Sequence, residues 1–423
     1  MISSTQTHTT AKKKVLILGA ALENEPFIRY LLESGFQLVC VDKKPAPLDK
    51  TLAQYHDALK IYAQDFSDDD TLDAIIAKEK VDYTLALPIG RSLVCLGRIN
   101  DKFAYAGPSF YAIDTLTDKQ KFHLFCEEHG LNHCHHLQLA LDNDTSLTQE
   151  LEHIEESFTY PFIIKPTFGS GSSGVEIISS RKDLLEYQMP ARFDSGLVLI
   201  EELIKGTEYS CSFVVDNEGM PHCMGIFSKY ISKPPYRQES VYFSDDFSDE
   251  LSLIVPSITT ICNELKLKSC FISSDVIVTK DKKPFIIDIS PRLGGNSIAT
   301  LLSNNNNHPL RFFQECIIDG QKPVINKQRC AVLAFFDFDK ESTYMGVTDA
   351  LTGKKNTDDD GIASCFNNDE KAHIIELIND LHVGDEIGPM KNGADVYRGH
   401  IVIEHDSIAH AYQLADKYLA ALQ

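Results

Sequence analysis

The sequence predicts a mixed α/β and α+β fold in three parts: an N-terminal parallel α/β domain, an α+β middle and a small C-terminal α+β domain. Three observations predict it. Short apolar runs alternate with helix-like stretches between Lys12 and Leu87. From Phe162 to Ile289 apolar runs succeed one another at close spacing, with turn residues between them. From Ala331 a few strand-like runs precede an Ala-rich helix that ends the chain.

Val15–Leu18 is a short apolar strand ending in Gly19. Pro26 suits the first turn of a helix, where its missing N–H would have had no partner, and Gly35 stops that helix. Phe36–Val41 is a second buried strand, closed by Asp42. A helix around Asp70–Glu79 and a strand at Asp82–Leu87 repeat the pattern, which implies a parallel sheet covered on both faces. A strand, a glycine and a later acid also fit the start of a dinucleotide-binding unit. That fingerprint needs three glycines, whereas Gly19-Ala20-Ala21-Leu22-Glu23-Asn24 keeps one, and Glu23 would repel a phosphate. NAD binding is set aside on that ground.

Thr117-Asp118-Lys119 opens a helix running to about Glu128 and stopping near Gly130. Strands are expected at Phe162–Lys165, Val175–Ile178, Leu197–Glu201, Tyr209–Asp216, Met224–Tyr230, Phe271–Thr279 and Pro284–Ile289. Turns at Asn217-Glu218-Gly219 and Lys280–Lys283 make the middle antiparallel. Ser303–His308, with its run of asparagines, reads as a loop. Strands near Ala331–Phe336 and Tyr397–Glu404 and a helix from about Ser407 complete the chain.

Composition narrows the function. A net charge of −21 argues against nucleic acid, which is held by Lys and Arg. Its acidic clusters, Asp68–Asp70 and Asp358–Asp360, read as solvated loop tips. No stretch of ~18 apolar residues exists to span a membrane. Met1–Thr10 is polar and lacks an apolar signal core, so it reads as a frayed tail of a cytoplasmic protein. The 11 cysteines include no CxxC pair and several sit in apolar runs (Cys40, Cys95, Cys211), as expected of reduced thiols. His133, Cys134, His135 and His136 are adjacent, and four neighbouring residues do not wrap one metal, so they read as a loop.

Three motifs carry chemistry. In the first, the strand Phe162–Ile164 delivers Lys165, followed by the loop Gly169-Ser170-Gly171-Ser172-Ser173-Gly174. Glycines let backbone N–H groups approach an anion, and the lysine supplies a point charge to phosphate oxygens. In the second, the strand Val198–Ile200 runs through Glu201-Glu202-Leu203-Ile204 into a new strand at Glu208. Such a hinge can read an adenine edge, and a carboxylate can accept two ribose hydroxyls. In the third, Phe285-Ile286-Ile287-Asp288-Ile289-Ser290-Pro291-Arg292 is followed by Leu293-Gly294-Gly295-Asn296. Asp288 and Ser290 point to one face of a strand, and Asp275 on the preceding strand falls opposite. Oxygen ligands on one face suit Mg²⁺, and Arg292 offers planar bidentate contacts to a phosphate or carboxylate.

In this order the motifs resemble the ATP-grasp superfamily, specifically its carboxylate–amine ligase branch, which includes L-amino-acid ligases and biotin-carboxylase-like enzymes. The resemblance implies a pre-ATP-grasp α/β domain at residues 1–112. It implies a central ATP-grasp fold of two α+β subdomains over 113–330, divided into 113–195 and 196–330, and a closing domain at 331–423. The last rests on Val383-Gly384-Asp385 through Gly399 and on Asp406-Ser407 before the final helix. It assigns ATP contacts to Lys119, Lys165, Ser170, Gly171, Ser172, Ser173, Gly174, Glu201, Glu202, Ile204 and Glu208. It assigns the metal to Asp275, Asp288 and Ser290, and places Arg292 and Asn296 beside the transferred phosphoryl group. The family usually carries Glu where Asp288 stands and Asn where Ser290 stands, so a second metal is the less supported of the two.

The implied activity is an ATP-dependent ligase that forms an acyl phosphate from a carboxylate and joins it to an amine, with Mg²⁺ or Mn²⁺. Phe227-Ser228-Lys229-Tyr230 and Lys233–Glu239 resemble the loop that amino-acid ligases fold over substrate, so Lys229, Arg237 and Glu239 are expected to meet a zwitterion. The partners implied are a small carboxylate and an amine, with no nucleic acid and no membrane, in a homodimer. A biotin- or purine-type carboxylase and an inactive ATP-binding scaffold are the competing readings.

Overall fold

The computed structural model describes residues 13–21, 24–88, 92–140, 147–169, 174–188, 196–231, 239–295, 298–304, 306–350, 352–357, 363–391 and 393–423. The N-terminal unit is a four-stranded parallel sheet in the order β3-β2-β1-β4. Its strands are β1 (Lys14–Leu18), β2 (Gln37–Asp42), β3 (Leu59–Ala63) and β4 (Tyr83–Leu85). Helices α1 (Glu25–Glu33), α2 (Leu48–Thr51), α3 (Asp69–Glu79) and α4 (Ser92–Phe103) connect and cover them. Asp42 accepts hydrogen bonds from the Ala20 N–H and the Lys44 N–H, both at 2.8 Å, so its carboxylate ties down the strand ends.

Helices α5 (Phe110–Thr117) and α6 (Lys119–Glu128) follow. Helix α6 is the helix the sequence opens at Thr117-Asp118-Lys119, and α5 before it has no counterpart in the sequence reading. The Asp118 carboxylate caps α6 by accepting from the Lys121 N–H at 3.1 Å.

Two antiparallel sheets come next. The smaller, in the order β5-β8-β6-β7, contains β5 (His136–Ala140), β6 (Phe162–Pro166), β7 (Glu176–Ile178) and β8 (Leu197–Glu202). Thus β8 lies in this sheet, on the far side of the expected 195/196 division. Strand β5 opens inside the stretch read from sequence as a loop. The larger, eight-stranded sheet runs β13-β12-β9-β10-β11-β14 and ends in Gly399–Glu404 and Ile374–Asn379. Its labelled strands are β9 (Gly206–Val215), β10 (Pro221–Ile231), β11 (Glu239–Ser244), β12 (Cys270–Thr279), β13 (Pro284–Ser290) and β14 (Ala331–Phe335). The sheet is continuous across the expected 330/331 boundary, because β11 pairs with β14.

Alternation of side chains sets what each face holds. On β12, Ile272 and Val276 join a core with Leu116 and Phe122 of α5 and α6 and with Ile254 and Ile258 of the helix Ser248–Glu264. Phe271 faces the other way, into a core that includes Val15, Leu85, Leu87, Phe227, Leu293 and Leu333. This second core welds the N-terminal sheet to the large sheet beside the C-terminal end of β4. Burying a side chain of this size is worth roughly 1.5–3 kcal/mol, so the union is a stable one. The helix Ile408–Leu422 packs on the C-terminal strands through Ala411, Ala415 and Tyr418.

Candidate active site

The small sheet contributes Lys165 and Glu201. Phe162, Ile164, Val198 and Ile200 point into the core beneath that sheet, so the intervening Lys165 and Glu201 emerge on its other face. Both are nonetheless buried, at 6% and 4% exposed. Lys165 Nζ lies 2.7 Å from Glu201 Oε1. His123 Nε2, from α6, lies 2.7 Å from the same oxygen. Burial opposes ionisation of Glu201, but Lys165 and His123 outweigh it and hold the carboxyl well below its usual range.

Helix α6 spans the gap between the sheets. The Lys119 N–H donates to Thr167 O at 3.2 Å, beyond the end of β6, which fixes the start of the helix against the small sheet. The Lys119 side chain reaches the other way, to Asp288 Oδ1 on β13 at 3.3 Å. The Asp288 carboxyl is held below its ordinary range: burial raises it, and Lys119, Lys165 and Arg292 lower it by more. Residues that stand on three separate elements therefore act on one carboxylate.

The large sheet forms the facing wall. Asp275 sits opposite Asp288 on one side and opposite Ser210 on the other; Ser273 pairs with Ser290. Lys229 Nζ lies 3.0 Å from Glu208 Oε1 and 2.9 Å from Asp275 Oδ2. Arg292 donates from Nη1 to Leu293 O at 2.6 Å, and burial lowers its basicity by more than Asp288 and Asp275 restore. The Leu293 N–H donates to Ala86 O at 3.3 Å, and a Cβ on Gly295 would stand 3.6 Å from Pro88, so the N-terminal unit borders this end of the cleft. At the other end, residues 203–205 join β8 to β9. A Cβ on Gly206 would fall 2.4 Å from Val278 O, so only glycine lets the hinge lie so close to β12.

The structure brings Lys119, Lys165, Glu201, Glu208, Asp275, Asp288 and Arg292 to the two facing sheets. Ser290 lies at the end of β13, Glu202 is exposed at the end of β8 and Ile204 is half-buried in the hinge. Gly174 has a φ of +75° and its carbonyl accepts from the Tyr187 hydroxyl at 2.9 Å. Ser170, Gly171, Ser172, Ser173, Asn296 and Arg237 lie outside the described residues, as do Met1–Thr10, Glu23 and Asp358–Asp360, and nothing is described of the Glu239 side chain.

Two environments go beyond the sequence reading. Lys229 lies within β10, inside the expected strand Met224–Tyr230, 6% exposed and bound to Glu208 and Asp275, because strand alternation turns it into the wall. Glu201, expected among the ATP contacts, has its carboxylate against Lys165 and His123. Sequence reasoning missed His123. The available signal was its position one turn after Lys119, which puts both on one face of α6. Cys134, read as a loop residue, has its Sγ 3.9 Å from His123 Nε2.

A helix thus bridges a pair of antiparallel sheets, and lysines and carboxylates from both meet beside it. Residues 158–300 match the ATP-grasp domain family, and the chain carries an ATP-grasp domain. The D-alanine–D-alanine ligase of Clostridium botulinum (strain Eklund 17B / Type B) is 29% identical over 181 residues, which is 40% of this chain and 58% of that one. The arginine-specific carbamoyl phosphate synthase large chain of Bacillus subtilis (strain 168) is 21% identical over 190 residues, 44% of this chain and 18% of that one. The match thus spans 58% or less of these curated relatives. In fold the whole chain is similar to the L-amino acid ligase of Bacillus licheniformis. That structure has a TM-score of 0.75 and 17% identity, with 98% of this chain and 99% of that one covered. The phosphoribosylglycinamide synthetase of Anaerococcus prevotii follows at a TM-score of 0.67, 17% identity and the same coverage.

Proposed function

We propose that this chain is an ATP-dependent carboxylate–amine ligase that activates a carboxylate, in our reading an amino acid, as an acyl phosphate. The observation that carries the reading is the Lys119–Asp288 pair, which reaches across from the helix against the small sheet to the large one and draws Lys165 and Arg292 into the same field. Lys119 and Lys165 take the phosphates, residues 170–174 cover them, Glu202 and Ile204 meet the adenine, and Glu208 accepts the ribose hydroxyls.

The residues fit Mg²⁺. Asp275 and Asp288 face each other on adjacent strands, each already beside a lysine ammonium, so the spot is arranged for positive charge. With Ser290 the donor set is all oxygen, which suits a hard cation. When bound, the ion supplies charge neutralisation to the phosphates. The chain's own groups orient the reactants. Arg292, with Asn296, holds the carboxylate and the phosphoryl group in line, and the lysines spread the negative charge. A carboxylate oxygen attacks the terminal phosphorus and ADP departs. The amine nitrogen then attacks the acyl carbon, phosphate departs, and the amine loses a proton.

An amino-acid substrate is favoured because an L-amino acid ligase gives a TM-score of 0.75 over nearly the whole chain. The test is ADP release with Mg·ATP across single and paired amino acids, with bicarbonate as a separate arm. Release that depends on amino acids is expected. Release that depends on bicarbonate would replace the reading with a carboxylase, and release in neither arm with an ATP-binding scaffold.

A further inference from the structure

Lys165 Nζ and His123 Nε2 share a single oxygen, Glu201 Oε1, each at 2.7 Å. His123 is 6% exposed and has no part in the reaction proposed above. Four groups face it. Glu201 comes from β8 and Lys165 from β6; Cys134 lies just before β5, with Sγ at 3.9 Å; His136, on β5, stacks on the imidazole at 4.4 Å and 17°. Burial pushes the Cys134 thiol up, which keeps it uncharged, and burial with His123 pushes His136 down. Glu201 is therefore the one anion among the four. His123, Cys134 and Glu201 bring their N, S and O atoms within 4.8 Å of one another, and the Lys165 ammonium lies against the same carboxylate.

That ammonium has two calls on it. In the structure it neutralises Glu201, yet the ATP reading needs it at a phosphate. A carboxylate buried this deeply is strongly unfavourable once its counter-charge turns away. His123 already stands at hydrogen-bond distance from the same oxygen, and an imidazole becomes a cation by binding one proton from solvent. We propose that His123 is the positioning residue of the phosphate-binding lysine: it holds Glu201 in place and takes up a proton as Lys165 turns from Glu201 to the nucleotide. This rests on the ATP-binding reading above. One helix then carries both Lys119 on Asp288 and His123 on Glu201, so α6 links the two carboxylates that flank the phosphates.

The test is titration calorimetry of Mg·ATP into the full chain, in two buffers of different ionisation enthalpy, for wild type and His123→Gln. The glutamine keeps an N–H for Glu201 but cannot be protonated. Wild type is expected to bind more protons with ATP than the variant does, and to gain affinity relative to it as pH falls. The variant should bind ATP about tenfold more weakly, because its neutral amide leaves the Glu201 carboxylate without a counter-charge when Lys165 turns away. Cys134→Ser should retain the uptake. Equal uptake in wild type and His123→Gln overturns the inference while leaving ATP binding intact. A wild-type chain that binds no ATP overturns the functional reading as well. Should the variant not fold, the wild-type His123 ring-nitrogen resonances decide: an imidazolium pattern appearing with Mg·ATP supports the inference, and an unchanged pattern overturns it.

Discussion

Lys229 shows how a single side chain can hold two carboxylates of the proposed site together. Its ammonium lies between Glu208, proposed for the ribose, and Asp275, proposed for the metal, and its side chain is 1% exposed. Removing it leaves two carboxylates in a poorly solvated wall, which costs roughly 3–5 kcal/mol when a buried pair loses one partner. Lys229→Met should therefore lower the urea midpoint as well as ATP affinity; an unchanged midpoint would show that the lysine is not the structural counter-charge. Arg292 differs, because its partners are Asp288, Asp275 and a neighbouring carbonyl at the edge of the wall. Arg292→Ala should abolish ADP release while Mg·ATP still binds, as measured by calorimetry beside the turnover assay. Retained turnover would discard its role at the transferring phosphoryl group.

At the scale of the element, helix α6 is the piece whose position matters most, since it places Lys119 and His123 together. Its start is fixed by Asp118, which caps the helix, and by the Lys119 N–H on Thr167 O. Asp118→Ala should cost about 1 kcal/mol of stability, a typical value for a lost N-cap, and should weaken ATP binding as Lys119 loses its anchor. Stability loss with unaltered ATP affinity would separate the helix start from the site. The sequence made much of this scale legible. Apolar runs located β1, β2, β6, β8 to β10 and β12 to β14, and the lysine before the glycine loop singled out Lys165, which lies on β6 against Glu201. Other elements escaped. Helix Ser248–Glu264 carries Pro256 in its interior, which disguises its period. Strand β11 hides behind a polar segment, and β5 behind a row of histidines. The environments of Lys229, Glu201 and His123 were invisible because each is created by a partner on a different strand or helix, and spacing along the chain does not encode that.

For the molecule as a whole, the N-terminal unit is coupled to the site by core packing and by its loop at Ala86–Pro88, and its own stability is set in part by one buried acid. Glu79 meets Lys14, Lys60 and the Tyr62 hydroxyl. Burial opposes its ionisation, but Lys60, Tyr62 and Lys14 take it from 4.5 down to about 2. A depressed folded value means the contribution is full above the unfolded value and is lost as pH falls from 4.5 towards about 2. Acid unfolding of Glu79→Gln should show a shallower fall across that window than wild type; identical slopes would contradict the assignment. No described helix is long and apolar enough to cross a membrane.

On the proposed function, a nucleoside triphosphate lies between the small and the large sheet. The most direct measurement is a crystal structure of the chain with Mg²⁺ and a non-hydrolysable ATP analogue. The triphosphate is expected between the small and large sheets, with Lys119 and Lys165 on its oxygens and the magnesium on Asp288 and Asp275. A nucleotide bound elsewhere, or phosphates facing neither lysine, would contradict it.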